Sequence, residues 1–383
     1  MRVLDIFAGA GGFSLGFQAA GYSMIGAIEK DKWAADTFKY NHPAANVIVD
    51  DIAQISDSVL LSNFNNKIDV LLGGPPCQGF SICNKNAGDP KDPRNSLFTE
   101  FLRTANLFKP KILVLENVPN LIKARTKSDA RVTQIIEDEL QKLDYNVYTS
   151  ILHATDYGIP QIRKRLFIIG SKRHLKKPFP SATHSLNGNL KKCPTLWDAI
   201  SDLPLIEAGG GREEMGYSED PTNAYQKKLR NKSKKVFNHV SMKHSKRMVE
   251  RFASMSWGDS THNVPAHLKP RKRNGEGTIS KRIYCQNNRR MHPDKPCHTI
   301  PASFYANFVH PYRNRNFTAR EGARIQSFPD SFRFLGKPTV VSSKLLEREG
   351  RYDERYLCQY AQIGNAVPPL MAKEIADNIL KQI

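Results

Sequence analysis

Short apolar runs that end in glycine, proline or an acid recur through the first 170 residues. Arg2–Phe7 reads as a strand that breaks at Ala8-Gly9-Ala10-Gly11-Gly12 and resumes as a helix through Phe13, Leu15, Gly16 and Phe17. Met24–Ile28 and Asn46–Val49 read as two more strands, tipped by Glu29 and by Asp50-Asp51. Val70–Leu72 runs into Gly73-Gly74-Pro75-Pro76-Cys77, and Leu97, Phe98, Phe101, Leu102, Ala105 and Phe108 then recur at helical spacing. Lys111–Leu115 is a strand followed by Glu116-Asn117, and Tyr145–Ile151 and Leu166–Ile169 are two further strands. Apolar strands alternating with helical segments predict an α/β fold with a doubly wound, mostly parallel sheet.

After Gly170 the pattern changes to Lys, Pro, Gly, Ser and Asn with few periodic runs, as in Lys176-Lys177-Pro178, Gly209-Gly210-Gly211 and Arg271-Lys272-Arg273. This texture predicts a second, smaller domain of loops and short strands over residues 172–355. The segment from Tyr360 returns to a glycine turn and an apolar helix through Val367, Leu370, Ile375 and Ile379. Residues 1–171 and 356–383 are therefore expected to form the sheet domain.

Composition adds a partner to this picture. The formal charge is +20 over 383 residues, with a pI near 9.7. Between Ser171 and Asn316, Lys and Arg outnumber Asp and Glu by more than two to one, with Tyr284, Phe304, Tyr305, Phe308 and Tyr312 interleaved. A basic, aromatic-rich surface suits a nucleic acid. No run approaches the length of a membrane span, and the six cysteines show no Cys-x-x-Cys pair or nearby His cluster. A cytoplasmic chain without a metal or a membrane is the expectation.

The candidate chemistry starts at Cys77. In open α/β sheets the crevice lies at the carboxyl ends of the strands, and a Pro-Pro-Cys turn presents a thiol there. Most free cysteines are small buried hydrophobes. A turn between glycines is a poor place to bury one, so Cys77 reads as a nucleophile. The glycines after Phe7 crowd more closely than a dinucleotide fingerprint allows, yet they let backbone approach an uncharged or zwitterionic ligand. Glu29 at the next strand tip is placed for ribose hydroxyls, and Asp51 for an adenine amino group. Together they point to an adenosine-containing cofactor. Glu116 follows an almost wholly apolar strand, where a carboxyl can keep a proton at neutral pH; an N-cap or a salt bridge is an equal reading. Gln161-Ile162-Arg163-Lys164-Arg165 puts alternating cations on one face of a strand, fit for a phosphate or a developing oxyanion.

These residues resemble the DNA (cytosine-5)-methyltransferases of bacterial restriction-modification systems. The blocks stand in that family's order: Asp5-Ile6-Phe7-Ala8-Gly9-Ala10-Gly11-Gly12, Gly74-Pro75-Pro76-Cys77-Gln78, Glu116-Asn117-Val118, Gln161-x-Arg163-x-Arg165, 319–330 from Ala319-Arg320-Glu321 to Phe328-Pro329-Asp330, and Gln362-Ile363-Gly364-Asn365-Ala366-Val367-Pro368-Pro369. Residues 185–288, where the family places its variable target-recognition region, match no pattern, and 337–355 is longer than usual.

The resemblance implies a Rossmann-like S-adenosylmethionine fold and methyl transfer from S-adenosylmethionine to C5 of a cytosine in double-stranded DNA. Cys77 would attack C6 of a flipped-out cytosine while Glu116 hydrogen-bonds N3 and the exocyclic amine. A thiol of ordinary pKa about 8.5 is only partly ionised at neutral pH, so Arg163 or Arg165 is expected to favour the thiolate or hold the cytosine O2. Phe7, Gly9, Gly11, Gly12, Glu29, Asp51, Pro76 and Asn365 would line the cofactor. Gln78 and Ser81, in a segment that could close over the flipped base, and Arg271, Lys272, Arg273 and Arg282 are the candidate DNA contacts. Arg320 and Glu321 are expected to fix the second domain rather than react. A monomer is expected, with a cognate restriction endonuclease as a plausible companion that makes no implied contact. The alternatives are a tRNA cytosine-5 methyltransferase, which shares the chemistry, and a catalytically silent DNA-binding protein. A dehydrogenase would want the spaced glycines, and a thiol hydrolase a histidine in the Cys77 block.

Overall fold

A computed structural model describes residues 1–64, 68–75, 96–126, 129–272, 277–279, 287–340 and 343–383. They divide into two compact units, one of residues 1–157, 163–191 and 366–383 and the other of residues 158–162 and 192–365. Residues 172–191, placed by the sequence pattern in the second domain, thus fall in the first unit, and residues 356–365 fall in the second.

The first unit is built on a seven-stranded sheet of β1 (Arg2–Ile6), β2 (Ser23–Ile28), β3 (Asn46–Ile48), β4 (Val70–Gly73), β5 (Ile112–Asn117), β6 (Asn146–His153) and β7 (Lys164–Ser171). Its order is β3-β2-β1-β4-β5-β7-β6. The strands from β3 to β5 pair in parallel, and β7 runs antiparallel to both β5 and β6. The chain winds outward from β1 in one direction to β2 and β3 and in the other to β4 and β5. The gap between the carboxyl ends of β1 and β4 is therefore the switch point where an open sheet leaves a crevice. Leu4, Ile6, Leu71, Leu113, Leu115, Leu166 and Ile168 are buried in the sheet core, with Phe101 against it. Near-continuous apolar strands of this kind require both faces of the sheet to be covered.

Helices α1 (Gly12–Ala19), α2 (Lys32–Asn41), α3 (Asp57–Asn63), α4 (Ser96–Phe108) and α5 (Val132–Lys142) supply the cover, with a C-terminal helix Pro369–Leu380. A side chain at Gly16 would lie 2.3 Å from the Ala372 Cβ and 2.6 Å from the Pro369 carbonyl oxygen, so α1 and the C-terminal helix meet backbone to backbone there. The Tyr22 hydroxyl donates to the Ala376 carbonyl at 3.1 Å across the same contact.

Two strand expectations change. β5 continues through Glu116 and Asn117 because each has a partner on β7, Phe167 and Leu166 respectively. The block 161–165 is divided: Gln161–Ile162 is a short strand of the second unit, and β7 begins only at Lys164, leaving Arg163 outside both strands.

In the second unit, the antiparallel pair of Gly211–Gly216 and Lys235–Val240 is the longest paired segment among the described residues. All seven residues of the helix Ala319–Ile325 are buried. Thr318 and Glu321 close a capping box at its start. The carboxylate of Glu321 also accepts two hydrogen bonds from Arg315, at 2.8 and 2.7 Å. Arg324 donates to Asp330 at 2.6 Å and to Asp202 at 3.0 Å, and Arg320 donates to the carbonyls of Phe237 and Phe332. These groups hold the unit together, the role expected for Arg320 and Glu321. Segment 337–355 carries the helix Ser343–Arg348 and the turn Tyr352–Glu354, with Glu354 taking both Lys337 and Arg351 as ion-pair partners.

Candidate active site

The glycine turn leaves β1 through Phe7, which has a left-handed φ of 59°, and then Gly9 and Gly11 at 55° and 91°. Such a φ is costly for a phenylalanine, and strain of this kind tends to collect at working sites. Gly11 has a further reason to lack a side chain, since a Cβ there would sit 2.7 Å from the His42 Nε2 and 2.8 Å from the Phe38 ring. At Gly9 nothing lies within 4 Å of the position a Cβ would take, so that stretch of backbone faces open space. Gly12 begins α1.

Two carboxyls lie beside the turn. Asp5, fully buried on β1, accepts from the Ser14 hydroxyl at 2.6 Å. Burial pushes its carboxyl up to about 7, opposed by the Ser14 hydrogen bond and reinforced by the charge of Glu29. Glu29 follows β2 and is held at both oxygens, by the Gly9 amide at 2.7 Å and the Asp31 amide at 2.8 Å. Burial raises it above the usual carboxylate range, and these two amides oppose the shift. A carboxylate has about four acceptor positions, so two stay open to a ligand hydroxyl. Asp51, after β3, caps the turn Ile52–Gln54 by accepting from the Ala53 amide at 3.2 Å, and Lys30 stands 3.6 Å away.

At the neighbouring strand tips, Glu116 and Asn117 meet Gly74 and Pro75, which precede Cys77 in the sequence. The Asn117 amide donates to the Pro75 carbonyl at 3.1 Å, and a Cβ on Gly74 would lie 3.5 Å from the Glu116 Oε2. The other carboxylate oxygen, Oε1, is 2.8 Å from the Nε of Arg165. Arg165 stands two residues before Phe167, the partner of Glu116, and so shares its face of the sheet. Arg163 is placed differently: it is buried and donates to the Ala366 carbonyl at 3.1 Å. The two cations therefore do different work. Asn117 and Ser14, absent from the candidate set, are the supporting residues that sequence reasoning missed. Their signal was their place in the blocks that hold Glu116 and the glycine turn.

Pro76, Cys77, Gln78, Ser81, Arg273 and Arg282 lie outside the described residues. In the second unit, Asn365 is exposed at the end of the helix Gln359–Asn365. Arg271 and Lys272 are exposed; Arg271 forms an antiparallel bridge with Ile279, and the Lys272 amide donates to the Thr278 carbonyl. Among the described residues no helix is long and apolar enough to cross a membrane.

Residues 1–381 match the family model described as C-5 cytosine-specific DNA methylase. The chain is 46% identical over 383 residues to the type II methyltransferase M.DdeI of Desulfomicrobium norvegicum, covering 99% of this chain and 88% of that protein. It is 35% identical to the type II methyltransferase M1.HphI of Haemophilus parahaemolyticus, covering 100% of this chain and 87% of that protein. A crystal structure described as a DNA modification methyltransferase encoded within an E. coli prophage matches with a TM-score of 0.75 at 26% identity, covering 100% of this chain and 99% of that one. The S. pombe Dnmt2 methyltransferase shares the fold, with a TM-score of 0.58 at 15% identity over 100% of this chain and 98% of that one.

Proposed function

The chain belongs to the C-5 cytosine-specific DNA methylase family, and from that premise we propose that it methylates C5 of a cytosine within a specific double-stranded DNA sequence through a covalent Cys77 adduct. The observation that carries the reading is the placement of Glu116, paired with Arg165 through one oxygen and with the other toward Gly74, three residues before Cys77 in the sequence.

The residues at the glycine turn fit S-adenosylmethionine, which when bound supplies the methyl group. Glu29 would take its ribose hydroxyls, Asp51 its adenine amine, and the backbone at Gly9 its amino-acid end. The fit rests on the open space over Gly9 and on the two acceptor positions left on Glu29.

The protein's own part in the chemistry is to make an unreactive ring attackable. A flipped cytosine would lie against the tip of β5 within reach of Cys77, its unstacking costing about a few kcal/mol. Glu116, carrying a proton, would donate it to N3 and accept from the exocyclic amine, drawing electron density from the ring so that the Cys77 thiolate adds to C6. Addition makes C5 electron-rich and ready for the methyl group. Loss of the C5 proton to a base then restores the C5–C6 double bond and expels Cys77 as thiolate. Arg165, held on Glu116, is a positioning residue; Arg163, on the Ala366 carbonyl, ties the C-terminal segment to the strand tips. The basic second unit supplies the DNA-reading surface, with Arg271 and Lys272 exposed on it. We read the active form as a monomer, with any companion restriction endonuclease acting separately.

The test is transfer of labelled methyl groups to unmethylated duplex DNA, with tRNA in parallel and 5-fluorocytosine DNA as a trap. Label in DNA with a trapped adduct is the expected result. Label in tRNA alone, or no label at all, overturns the reading.

A further inference from the structure

Arg103 projects from α4 toward a different part of the cofactor edge. Its Nε donates to Glu100 on its own helix at 2.7 Å, and Nη1 donates to Asp57 at the start of α3. Its Nη2 donates to the main-chain carbonyls of Ile52 at 2.9 Å and Ile55 at 3.1 Å. Those carbonyls bracket the one-turn helix Ile52–Gln54, whose cap is Asp51. One guanidinium thus joins α4 to both ends of that turn. The two carboxylates fix the plane of the fork, and the fork fixes the carbonyls; a lysine ammonium, a point charge on a flexible stem, cannot reproduce this.

Besides Arg103, the exposed Lys30 ammonium reaches the turn from outside, 3.6 Å from the Asp51 carboxylate, and it touches no main-chain group of the turn. The turn's internal bonds are Gln54 to the Asp51 carbonyl at 2.8 Å, Ile55 to the Ile52 carbonyl at 3.3 Å, and the Asp51 carboxylate to Ala53. Each of these moves with the turn rather than anchoring it. The side chains of Ile52 and Ile55 are buried, which sets the turn's depth. Arg103 supplies the main-chain contacts that set its rotation over the sheet edge. Because hydrogen bonds weaken steeply with distance and angle, a small rotation would be felt by any group bonded to Asp51.

We propose that Arg103 is a positioning residue for adenine recognition, setting through the Ile52 and Ile55 carbonyls where Asp51 presents its carboxylate to the purine 6-amino group. The proposal rests on the reading of Asp51 as the adenine's partner. It goes beyond that reading by naming a residue, on another helix and without ligand contact, on which purine selectivity depends.

The test compares calorimetric affinities for S-adenosylhomocysteine and S-inosylhomocysteine, whose 6-oxo group accepts where the amine donates. The wild-type protein should prefer the adenosyl ligand by about tenfold or more, the scale of one hydrogen bond to a charged acceptor. Asp51→Ala should bring the ratio close to one. Arg103→Gln and Arg103→Lys should each lower it by about threefold or more, whereas Asp57→Asn, which leaves both carbonyl contacts in place, should hardly change it. A purely structural role would weaken both ligands equally and leave the ratio alone. A wild-type ratio in both Arg103 variants, alongside its collapse in Asp51→Ala, overturns the proposal and spares the Asp51 reading. An unchanged ratio in Asp51→Ala overturns both. If Arg103→Gln does not fold, Arg103→Lys decides the matter.

Discussion

Arg165 Nε lies 2.8 Å from Glu116 Oε1, cation and carboxylate on adjacent antiparallel strands and each little exposed, at 15% and 12%. The contact uses one carboxylate oxygen and leaves the other toward Gly74. It restrains the carboxyl group while leaving its second oxygen for a base.

Glu116→Gln should therefore lower the single-turnover methylation rate by about 10²–10⁴-fold, with DNA affinity changing far less. Arg165→Gln should show a smaller loss of the same kind. Because the pair acts as a unit, the double variant should be no slower than Glu116→Gln alone. Additive losses in rapid-quench kinetics would mean that the two residues act independently.

Cys77→Ala should abolish both turnover and the adduct with 5-fluorocytosine DNA, while calorimetric binding of S-adenosylmethionine persists. Residual turnover in this variant would end the nucleophile assignment.

Asp5 sets a pH dependence of its own. Its folded value near 7 lies above the ordinary carboxylate value, so the folded state holds the proton more tightly than the unfolded one. Stability from this group is complete below the unfolded value, about 4, and is lost as pH rises through about 7. His42 and His239, each pushed down to about 4 by burial, and His310, pushed down to about 3, act in the opposite sense below their ordinary value. The comparison that isolates Asp5 is with Asp5→Asn, which keeps an acceptor for Ser14. Its melting temperature relative to wild type should climb between pH 4 and 7 and level off above, with a full effect on the order of 4 kcal/mol. A pH-independent difference in differential scanning fluorimetry would show that folding does not raise the Asp5 carboxyl.

Glu321→Gln should destabilise the protein by about 3–5 kcal/mol in denaturant titrations, because Arg315 would be left buried with a weaker acceptor in place of its paired carboxylate. A loss under 1 kcal/mol would indicate that the neighbouring main-chain acceptors suffice.

What the sequence could yield depended on the range of each interaction. The strands of the first unit follow from local apolar runs, and the tips bearing Glu29, Asp51 and Glu116 follow from where those runs stop. Strand direction does not lie in the run itself, so nothing in 164–171 announces that β7 is antiparallel. The same limit hid the division of labour between Arg163 and Arg165: two apart in sequence, they differ in whether Glu116 or the Ala366 carbonyl faces them. Nothing in the helical spacing of 97–108 singles out Arg103. Its partners, Ile52 and Ile55, precede it by 51 and 48 residues.

The contact of Gly16 with Ala372 and Pro369 also bears on how the protein is made. α1 leaves the ribosome early, but the face it turns to the C-terminal helix stays bare until residues 369–380 have emerged, more than 350 residues later. During that interval the glycine turn is attached to an unfinished layer. A nascent chain should therefore gain its cofactor affinity late and abruptly, after the whole second unit has been synthesised, so that a half-made protein holds no methyl donor.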